Sequence, residues 1–365
     1  MPENAPTQPP ADFSPQFPAT RPVADVPARI TAASNNRQVL KRLERGESFC
    51  FEGTWGTAMA FYSWIKKQVN ERYPVADYTS SRINREQMTK LTKELFIPIH
   101  NHHPALAKAP GNQWLREFYP GQTDFLLRFT DYLGMNGARQ WFEKGIAFPG
   151  LTHKVHPFYG TYFPTRTEHL ELFDQWLSGH KNIHKAIDMG TGCGVLAFYM
   201  LNKGIKDITA TDINPNALYS LQYDLVRTQN EKWVNLQQTS FFDGLDTSET
   251  QLVVFNPPWL PMEGHTVIDK AMYYNADFFE NFFAQAYEKL PANCLLSIVF
   301  SSFAIAADLS RQNPIEQELE NQKRFTCMEK LCSPIQQKAS PRKDWLSQIR
   351  MHEEAELWVL KKSSQ

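Results

Sequence analysis

The tetrapeptide Asn256-Pro257-Pro258-Trp259 directly follows the apolar run Leu252–Phe255, and its residue types suit a planar NH2 group. Each proline removes a backbone N–H donor and stiffens the chain, so carbonyl acceptors remain. The side-chain oxygen of Asn256 and the carbonyl oxygen of Pro257 can accept both hydrogens of one NH2 group, while Trp259 stacks on its plane. Although Asn-Pro is also an ordinary turn former, this arrangement indicates transfer of a group to nitrogen by alignment for displacement.

A glycine-rich loop precedes this tetrapeptide, with the pattern Asp-x-Gly-x-Gly-x-Gly beginning at Asp188. Gly190, Gly192 and Gly194 permit positive φ angles and close approach of a ligand to the backbone. A dinucleotide fingerprint requires a small residue where Val195 stands, so the pattern disfavours a NAD-type cofactor. Asp188 instead offers a carboxylate to an ammonium group. The alternative interpretation is a tight strand–helix turn that binds nothing.

A second acidic residue, Asp212, ends the next predicted strand. An acid about twenty residues beyond such a loop typically accepts hydrogen bonds from ribose hydroxyls. The alternative is that Asp212 caps the helix that starts after Asn214. Its position relative to the glycines favours the ribose.

The elements that must position these residues alternate between strands and helices after residue 150. Apolar runs predict strands at 186–189, 208–211, 235–239, 252–255, 295–300 and 355–360. Helical periodicity predicts helices at 168–177, 195–203, 215–226 and 278–290. This alternation predicts an α/β fold, Rossmann-like and doubly wound around a mostly parallel sheet. Because ligands bind at the carboxyl ends of strands in such sheets, the glycine loop and the tetrapeptide are expected to share one site.

The residues before position 151 differ in composition and in pattern from those that follow. Residues 1–30 are rich in Pro, Ala and Thr, which predicts a disordered tail. Helical periodicity in residues 31–150 predicts an N-terminal helical accessory domain. Its helices are expected at 36–45, 57–69, 85–96 and 114–133. Residues 151–365 then form the third part of the chain.

The composition indicates a soluble, cytoplasmic protein. The 365 residues are 42% hydrophobic and carry a formal net charge of -1, so the overall electrostatic field does not attract the protein to nucleic acid or to a membrane. We see no apolar run of about eighteen residues and no secretory signal, so no membrane contact is expected. The five cysteines are scattered and are interpreted as reduced. No metal site is expected, because neither His102–His103 nor Cys327 with Cys332 has enough companions.

The sequences at 188–194 and 256–259, together with Asp212, resemble the motifs of class I S-adenosylmethionine-dependent methyltransferases. Residues 155–360 look most like the HemK/PrmC-type branch, whose best-known members methylate a glutamine amide in release factors. The stretch 160–168 resembles the Pro-Arg-containing segment ahead of their cofactor domain. The resemblance implies an enzyme with a seven-stranded, mostly parallel methyltransferase sheet that uses S-adenosyl-L-methionine.

The resemblance also implies roles on the cofactor side of the site. Gly190, Gly192 and Gly194 would pass beneath the cofactor. Asp188 would face its methionine ammonium group, and Asp212 would hold the ribose.

On the acceptor side, the resemblance implies that Asn256 and Pro257 orient the acceptor nitrogen and that Trp259 packs against it. Asn256 would also lie against the cofactor. Where the family usually has an acid that contacts the adenine amine, this chain has Ser240, with Asp243 nearby. Either Ser240 makes that contact or Asp243 shifts into it.

Three functions remain open at this point. The acceptor is expected to be macromolecular, with a glutamine-type amide of a protein as the main hypothesis, although a small molecule is not excluded. The first alternative is an exocyclic adenine amine in RNA or DNA, because enzymes of that kind share the tetrapeptide. The second is a cofactor-binding module without catalysis, which the intact tetrapeptide disfavours. A basic segment at 323–343 either binds phosphates or an acidic peptide, or is a solvated insertion.

Overall fold

The computed structural model describes residues 13–26, 28–262, 271–336 and 345–363. The chain divides into two compact units. One unit is Phe17–Gln140, and the other comprises Met1–Gln16 with Trp141–Gln365. The sequence places the boundaries after residues 30 and 150, whereas the contacts divide the chain after residues 16 and 140.

The unit Phe17–Gln140 contains helices and a mixed sheet. The strands are β1 (Thr20–Arg21), β2 (Arg29–Ile30), β3 (Phe49–Phe51), β4 (Leu95–His100), β5 (His103–Pro104) and β6 (Phe125–Arg128). Their order is β1-β6-β4-β3-β2, and β5 pairs with β4. The helices are α1 (Asn36–Glu44), α2 (Trp55–Arg72), α3 (Tyr78–Thr92), α4 (Trp114–Phe118) and α5 (Phe129–Lys144), which runs past the boundary.

Helices occupy part of each predicted helical span of this region, but its sheet was not predicted. Strand β4 begins inside the span 85–96, and strand β6 lies inside the span 114–133, both of which helical periodicity assigned to helices. Both strands are buried along most of their length. A strand buried on both faces carries a continuous apolar run and lacks the alternation that distinguishes it from a buried helix.

The described part of the predicted disordered tail is ordered, which corrects that expectation. Strand β1 pairs antiparallel with β6, and strand β2 pairs parallel with β3. Val26 and Ile30 are buried against this sheet, at 0% and 1% exposure. Composition did not reveal this because backbone pairing with distant strands stabilises a segment that contains few apolar side chains. Residues 1–12 and 27 lie outside the described residues.

The larger unit contains the expected seven-stranded, mostly parallel sheet. Its strands are β7 (Lys185–Met189), β8 (Asp207–Asp212), β9 (Val234–Gln238), β10 (Leu252–Phe255), β13 (Leu295–Ser301), β14 (Phe325–Pro334) and β15 (Glu354–Lys362), and a small separate pair consists of β11 (Leu260–Pro261) and β12 (Tyr273–Tyr274). The order is β14-β15-β13-β10-β7-β8-β9, in which β15 runs antiparallel to both β13 and β14.

Helices α6 (Glu168–Ser178), α7 (Val195–Asn202), α8 (Pro215–Arg227), α9 (Phe278–Lys289), α10 (Phe303–Ala306), α11 (Pro314–Gln317) and α12 (Trp345–Arg350) accompany this sheet. Alternate residues of β10 pack into different clusters: Leu252 and Val254 into one, Val253 and Phe255 into the other. Apolar layers therefore cover both faces of the sheet, as the α/β prediction requires. Of the described helices, none is long and apolar enough to span a membrane.

The basic segment 323–343 is in part a strand rather than a solvated insertion. Its first half forms the edge strand β14. Two basic side chains of this half are neutralised locally, through the ion pairs Arg324–Glu280, Arg324–Glu318, Lys330–Glu316 and Lys330–Glu356. These pairs do not favour a phosphate-binding patch. Lys338, Arg342 and Lys343 lie outside the described residues.

Candidate cofactor and acceptor site

Three neighbouring strands of the large sheet end in register, and this brings the predicted site together. The register pairs are Met189–Thr211 between β7 and β8, and Met189–Phe255 between β7 and β10. The residues that come next along each strand are Gly190, Asp212 and Asn256. These residues therefore lie side by side at the carboxyl edge of the sheet, where ligands bind in doubly wound folds.

A pocket opens at this edge and encloses about 1030 Å³, including the solvent at its mouth. The predicted site residues that line it are Gly190, Gly192, Asp212, Ser240 and Asn256. Asp188, Gly194, Pro257 and Trp259 do not line it.

Asp212 holds the glycine loop in place. Its Oδ2 accepts a hydrogen bond from the backbone N–H of Gly192 at 3.0 Å, and its Oδ1 accepts one from Asn214 at 2.8 Å. Burial raises the pKa of the Asp212 carboxyl, and the backbone donors partly oppose that rise. Since each carboxylate oxygen can accept a further hydrogen bond, Asp212 can still receive hydroxyl groups from the pocket.

Asp188 lies beneath the loop rather than in the pocket wall. Its Oδ2 accepts hydrogen bonds from the Thr191 hydroxyl at 2.6 Å and from the Ala197 N–H at 3.0 Å. Its Oδ1 has no partner among the described residues. The side chain is fully buried, and this burial raises the pKa of Asp188 to about 7. Asp188 therefore ties the loop to the first turn of α7, and its contact with an ammonium group stays a prediction.

The raised pKa of Asp188 predicts a pH-dependent stability. Because the folded pKa lies above the usual value of 3.8, the native state holds a proton that the unfolded chain releases between pH 4 and 7. The contribution of Asp188 is therefore fully present at acid pH and is lost as pH rises through about 7. We expect the unfolding free energy of wild type to fall relative to that of Asp188→Asn, whose neutral amide cannot ionise, as pH rises from 5 to 8, measured by urea unfolding. Parallel pH profiles for the two proteins would contradict this.

One wall of the pocket comes from residues 155–164, which sequence reasoning did not assign to the site. Tyr162 lines the pocket, and its carbonyl oxygen lies 3.2 Å from the place where a side chain at Gly192 would begin. Three polar residues of α8 hold this segment: Asn216 donates to the Tyr159 carbonyl, Ser220 accepts from the Phe158 N–H, and Asp224 binds His156.

The sequence does contain a signal for this wall. The three polar residues of α8 are spaced four apart, so they lie on one face of the helix, and all three are buried. A buried polar face requires partners, and the segment before α6 supplies them.

Ser240 and Asp243, which follow β9, are the two residues that the sequence left open for the adenine contact. Ser240 lines the pocket, with the rings of Phe241 and Phe278 nearby in its lining. Asp243 is exposed and does not line it. Of the two candidates for the adenine contact, Ser240 is thus the one in position, although the contact itself stays a prediction.

The tetrapeptide contributes Asn256 and Pro258 to the pocket, while Pro257 is buried behind them. The Oδ1 atom of Asn256 is buried and has no hydrogen-bond partner among the described residues. Trp259 packs against the core beside α9, and its ring stands perpendicular to that of His169, with the centroids 5.1 Å apart. Its contact with an acceptor stays a prediction.

The pocket fits a nucleoside joined to an amino-acid tail. The backbone at Gly190 and Gly192 is bare, the Asp212 carboxylate is a hydrogen-bond acceptor, and the rings of Phe241 and Phe278 are part of the lining. Within the described ranges, no cluster of three or more His, Cys, Asp or Glu side chains could hold a metal ion.

Residues 171–329 match the family model "Methyltransferase small domain". With the sheet and the pocket, this match defines an S-adenosylmethionine-dependent methyltransferase domain in the larger unit. A protein of Methanocaldococcus jannaschii named as a candidate N5-glutamine methyltransferase is 26% identical over 132 residues, which are 36% of this chain and 63% of that protein. The match therefore spans less than two thirds of that relative.

Two solved structures are similar to this chain at lower sequence identity. A ribosomal protein L11 methylase from Lactobacillus delbrueckii subsp. bulgaricus is 18% identical, with a TM-score of 0.38 over 60% of this chain and 93% of that one. A candidate RNA methyltransferase from Pyrococcus horikoshii is 15% identical, with a TM-score of 0.39 over 63% of this chain and 99% of that one. At these scores neither structure informs the function of this chain.

Proposed function

We propose that this protein transfers a methyl group from S-adenosyl-L-methionine to a planar NH2 nitrogen, and that the acceptor is a glutamine-type amide of a protein. The observation that carries this proposal is the buried, unpartnered Oδ1 of Asn256 in the wall of the cofactor pocket. A buried acceptor without a donor destabilises the fold. An incoming NH2 group supplies the missing donor.

The chain's contribution on the cofactor side is binding and orientation. S-adenosyl-L-methionine, when bound, supplies an electrophilic methyl group on a positively charged sulfur. Gly190 and Gly192 allow it to lie against the backbone, and Asp212 accepts its ribose hydroxyls. Asp188 contributes a carboxylate beneath the loop, whose ionised form a nearby ammonium group favours.

On the acceptor side, Asn256 and Pro257 hold the nitrogen. The Asn256 Oδ1 and the Pro257 carbonyl accept its two hydrogens, which directs the lone pair toward the cofactor. Trp259 supports the plane that carries the nitrogen. No strong base is required, because the nitrogen releases its proton to solvent during or after attack, as the bond between methyl and sulfur breaks, and alignment supplies most of the rate enhancement.

The name of the archaeal relative supports an amide of a protein as the acceptor. The geometry at Asn256 also suits an exocyclic adenine amine, because both groups present a planar NH2. The distinction therefore depends on the molecule that carries the label in a transfer experiment.

The test uses lysate from a strain that lacks the protein. Purified protein and cofactor with a radiolabelled methyl group are added, and the labelled fraction is digested with protease or with nuclease. We expect label that protease releases and nuclease leaves intact. Release of the label by nuclease would show that the acceptor is a base amine rather than an amide. Label that neither enzyme releases from a macromolecule would point to a small-molecule acceptor. Absence of label, with cofactor binding intact by calorimetry, would favour a binding module.

A further inference from the structure

Several buried polar atoms without partners belong to the tetrapeptide Asn256–Trp259 and to His169, whose ring contacts Trp259. Among the described residues, Asn256 Oδ1, Trp259 Nε1 and both ring nitrogens of His169 have no hydrogen-bond partner. Buried polar groups in folded proteins are nearly always paired, so an unpaired group requires an explanation. The proposed NH2 acceptor accounts for Asn256, whereas it leaves the indole and the imidazole unexplained.

His169 is held on a rigid element. It is the second residue of α6 and is 1% exposed. Its neighbour Glu168 fixes the start of that helix, because its carboxylate accepts hydrogen bonds from the backbone N–H groups of Thr167 and Gln336. The backbone of His169 is therefore fixed and cannot shift to bring the imidazole to a hydrogen-bond partner. The imidazole contacts the indole of Trp259 edge-to-face.

His169 is electrically neutral at physiological pH. Burial lowers its pKa to about 4, and the nearby Glu168 only partly opposes that effect. A neutral imidazole has one N–H donor and one lone-pair acceptor. Trp259, three residues beyond Asn256, and His169, on α6, therefore each carry one N–H donor without a partner among the described residues, and their rings are in contact.

These donors and the acceptor oxygen of Asn256 are complementary to a group in which an NH2 is attached next to a lone-pair atom, such as the carbonyl oxygen of an amide. We propose that His169 is a specificity-determining residue of the acceptor site and that its imidazole N–H donates a hydrogen bond to the lone-pair atom adjacent to the acceptor nitrogen. This inference rests on the proposed methyl transfer to an NH2 group. Neither His169 nor Trp259 lines the pocket in the free protein, so the indole and the imidazole have to move for this hydrogen bond to form.

The first test measures stability without any acceptor. The variant His169→Phe keeps an aromatic ring against Trp259 and removes both unpartnered nitrogens, so its Tm should equal or exceed that of wild type. The matched control is His156→Phe, because His156 is a buried histidine whose Nδ1 binds Asp224 at 2.7 Å. That control should lower Tm. A comparable loss of Tm in both variants would show that His169 has a structural partner and would overturn the inference.

The second test measures labelling of the deletion-strain lysate at increasing lysate concentration. For His169→Phe we expect the half-saturating concentration to rise at least tenfold, with the Kd of S-adenosyl-L-methionine unchanged within twofold. The variant His169→Gln, which retains one donor and one acceptor, should recover part of the loss. Unchanged half-saturation in His169→Phe overturns this inference alone, whereas absence of labelling by wild type overturns the proposed function as well.

Discussion

Replacing Asn256 with alanine should lower kcat for methyl transfer by about 100-fold or more, which is typical for loss of one preorganised hydrogen bond at a reacting group. The Oδ1 of Asn256 has no other partner among the described residues, so its removal should leave the fold intact. The variant loses the acceptor that holds the NH2 group in line with the cofactor. The Kd of S-adenosyl-L-methionine, measured by calorimetry, should stay within about threefold of wild type because Asp212 and the glycine loop are untouched.

The control for this experiment is Asn281→Ala. Asn281 is an exposed asparagine on α9, so kcat and Kd should both match those of wild type. A large loss of cofactor affinity in Asn256→Ala would show that the residue serves the cofactor rather than the acceptor. Unchanged kcat would remove the acceptor clamp from the mechanism.

Replacing Gly194 with alanine should destabilise the larger unit by about 2–5 kcal/mol. Gly194 has a φ of 82°, and a Cβ there would lie 2.4 Å from Cδ1 of Leu221, which is fully buried. The left-handed backbone costs about 1–2 kcal/mol for a residue with a side chain, and overpacking costs about 1–3 kcal/mol more. Urea unfolding of the variant should show a lower midpoint, and the distorted loop should weaken cofactor binding.

The matched control is Gly204→Ala, at the opposite end of α7. Gly204 has a φ of 87°, and a Cβ there would meet nothing within 4 Å. This variant should lose only the backbone contribution of about 1–2 kcal/mol and should bind the cofactor normally. Equal destabilisation by the two variants would show that the contact with Leu221 is relieved at no cost.

The large sheet was predictable because its signals are local. Strands such as β10 are short apolar runs next to turn residues, and the helices between them carry clear periodicity. The edge strand β14 was missed for the opposite reason. Six of its ten residues are exposed and only Phe325 is buried, so pairing with β15 rather than burial makes it a strand.

The sheet of the smaller unit shows the same limit. Strands β1 and β2 are two residues long and lie in a proline-rich segment. They exist because β6 and β3 provide backbone partners. Such long-range pairing leaves no periodic pattern in the strand itself.

The amino-acid sequence alone contains the chemistry of the candidate site: glycines that expose backbone, an acid that ends β8, and a tetrapeptide rich in acceptors. These properties belong to residue types and to short spacings, so they can be recognised before folding is considered. Which groups share a pocket depends on the register of β7, β8 and β10. Burial in three dimensions placed Asp188 beneath the loop, formed a wall from residues 155–164 and set His169 against Trp259, because a side chain's neighbours come from distant parts of the chain.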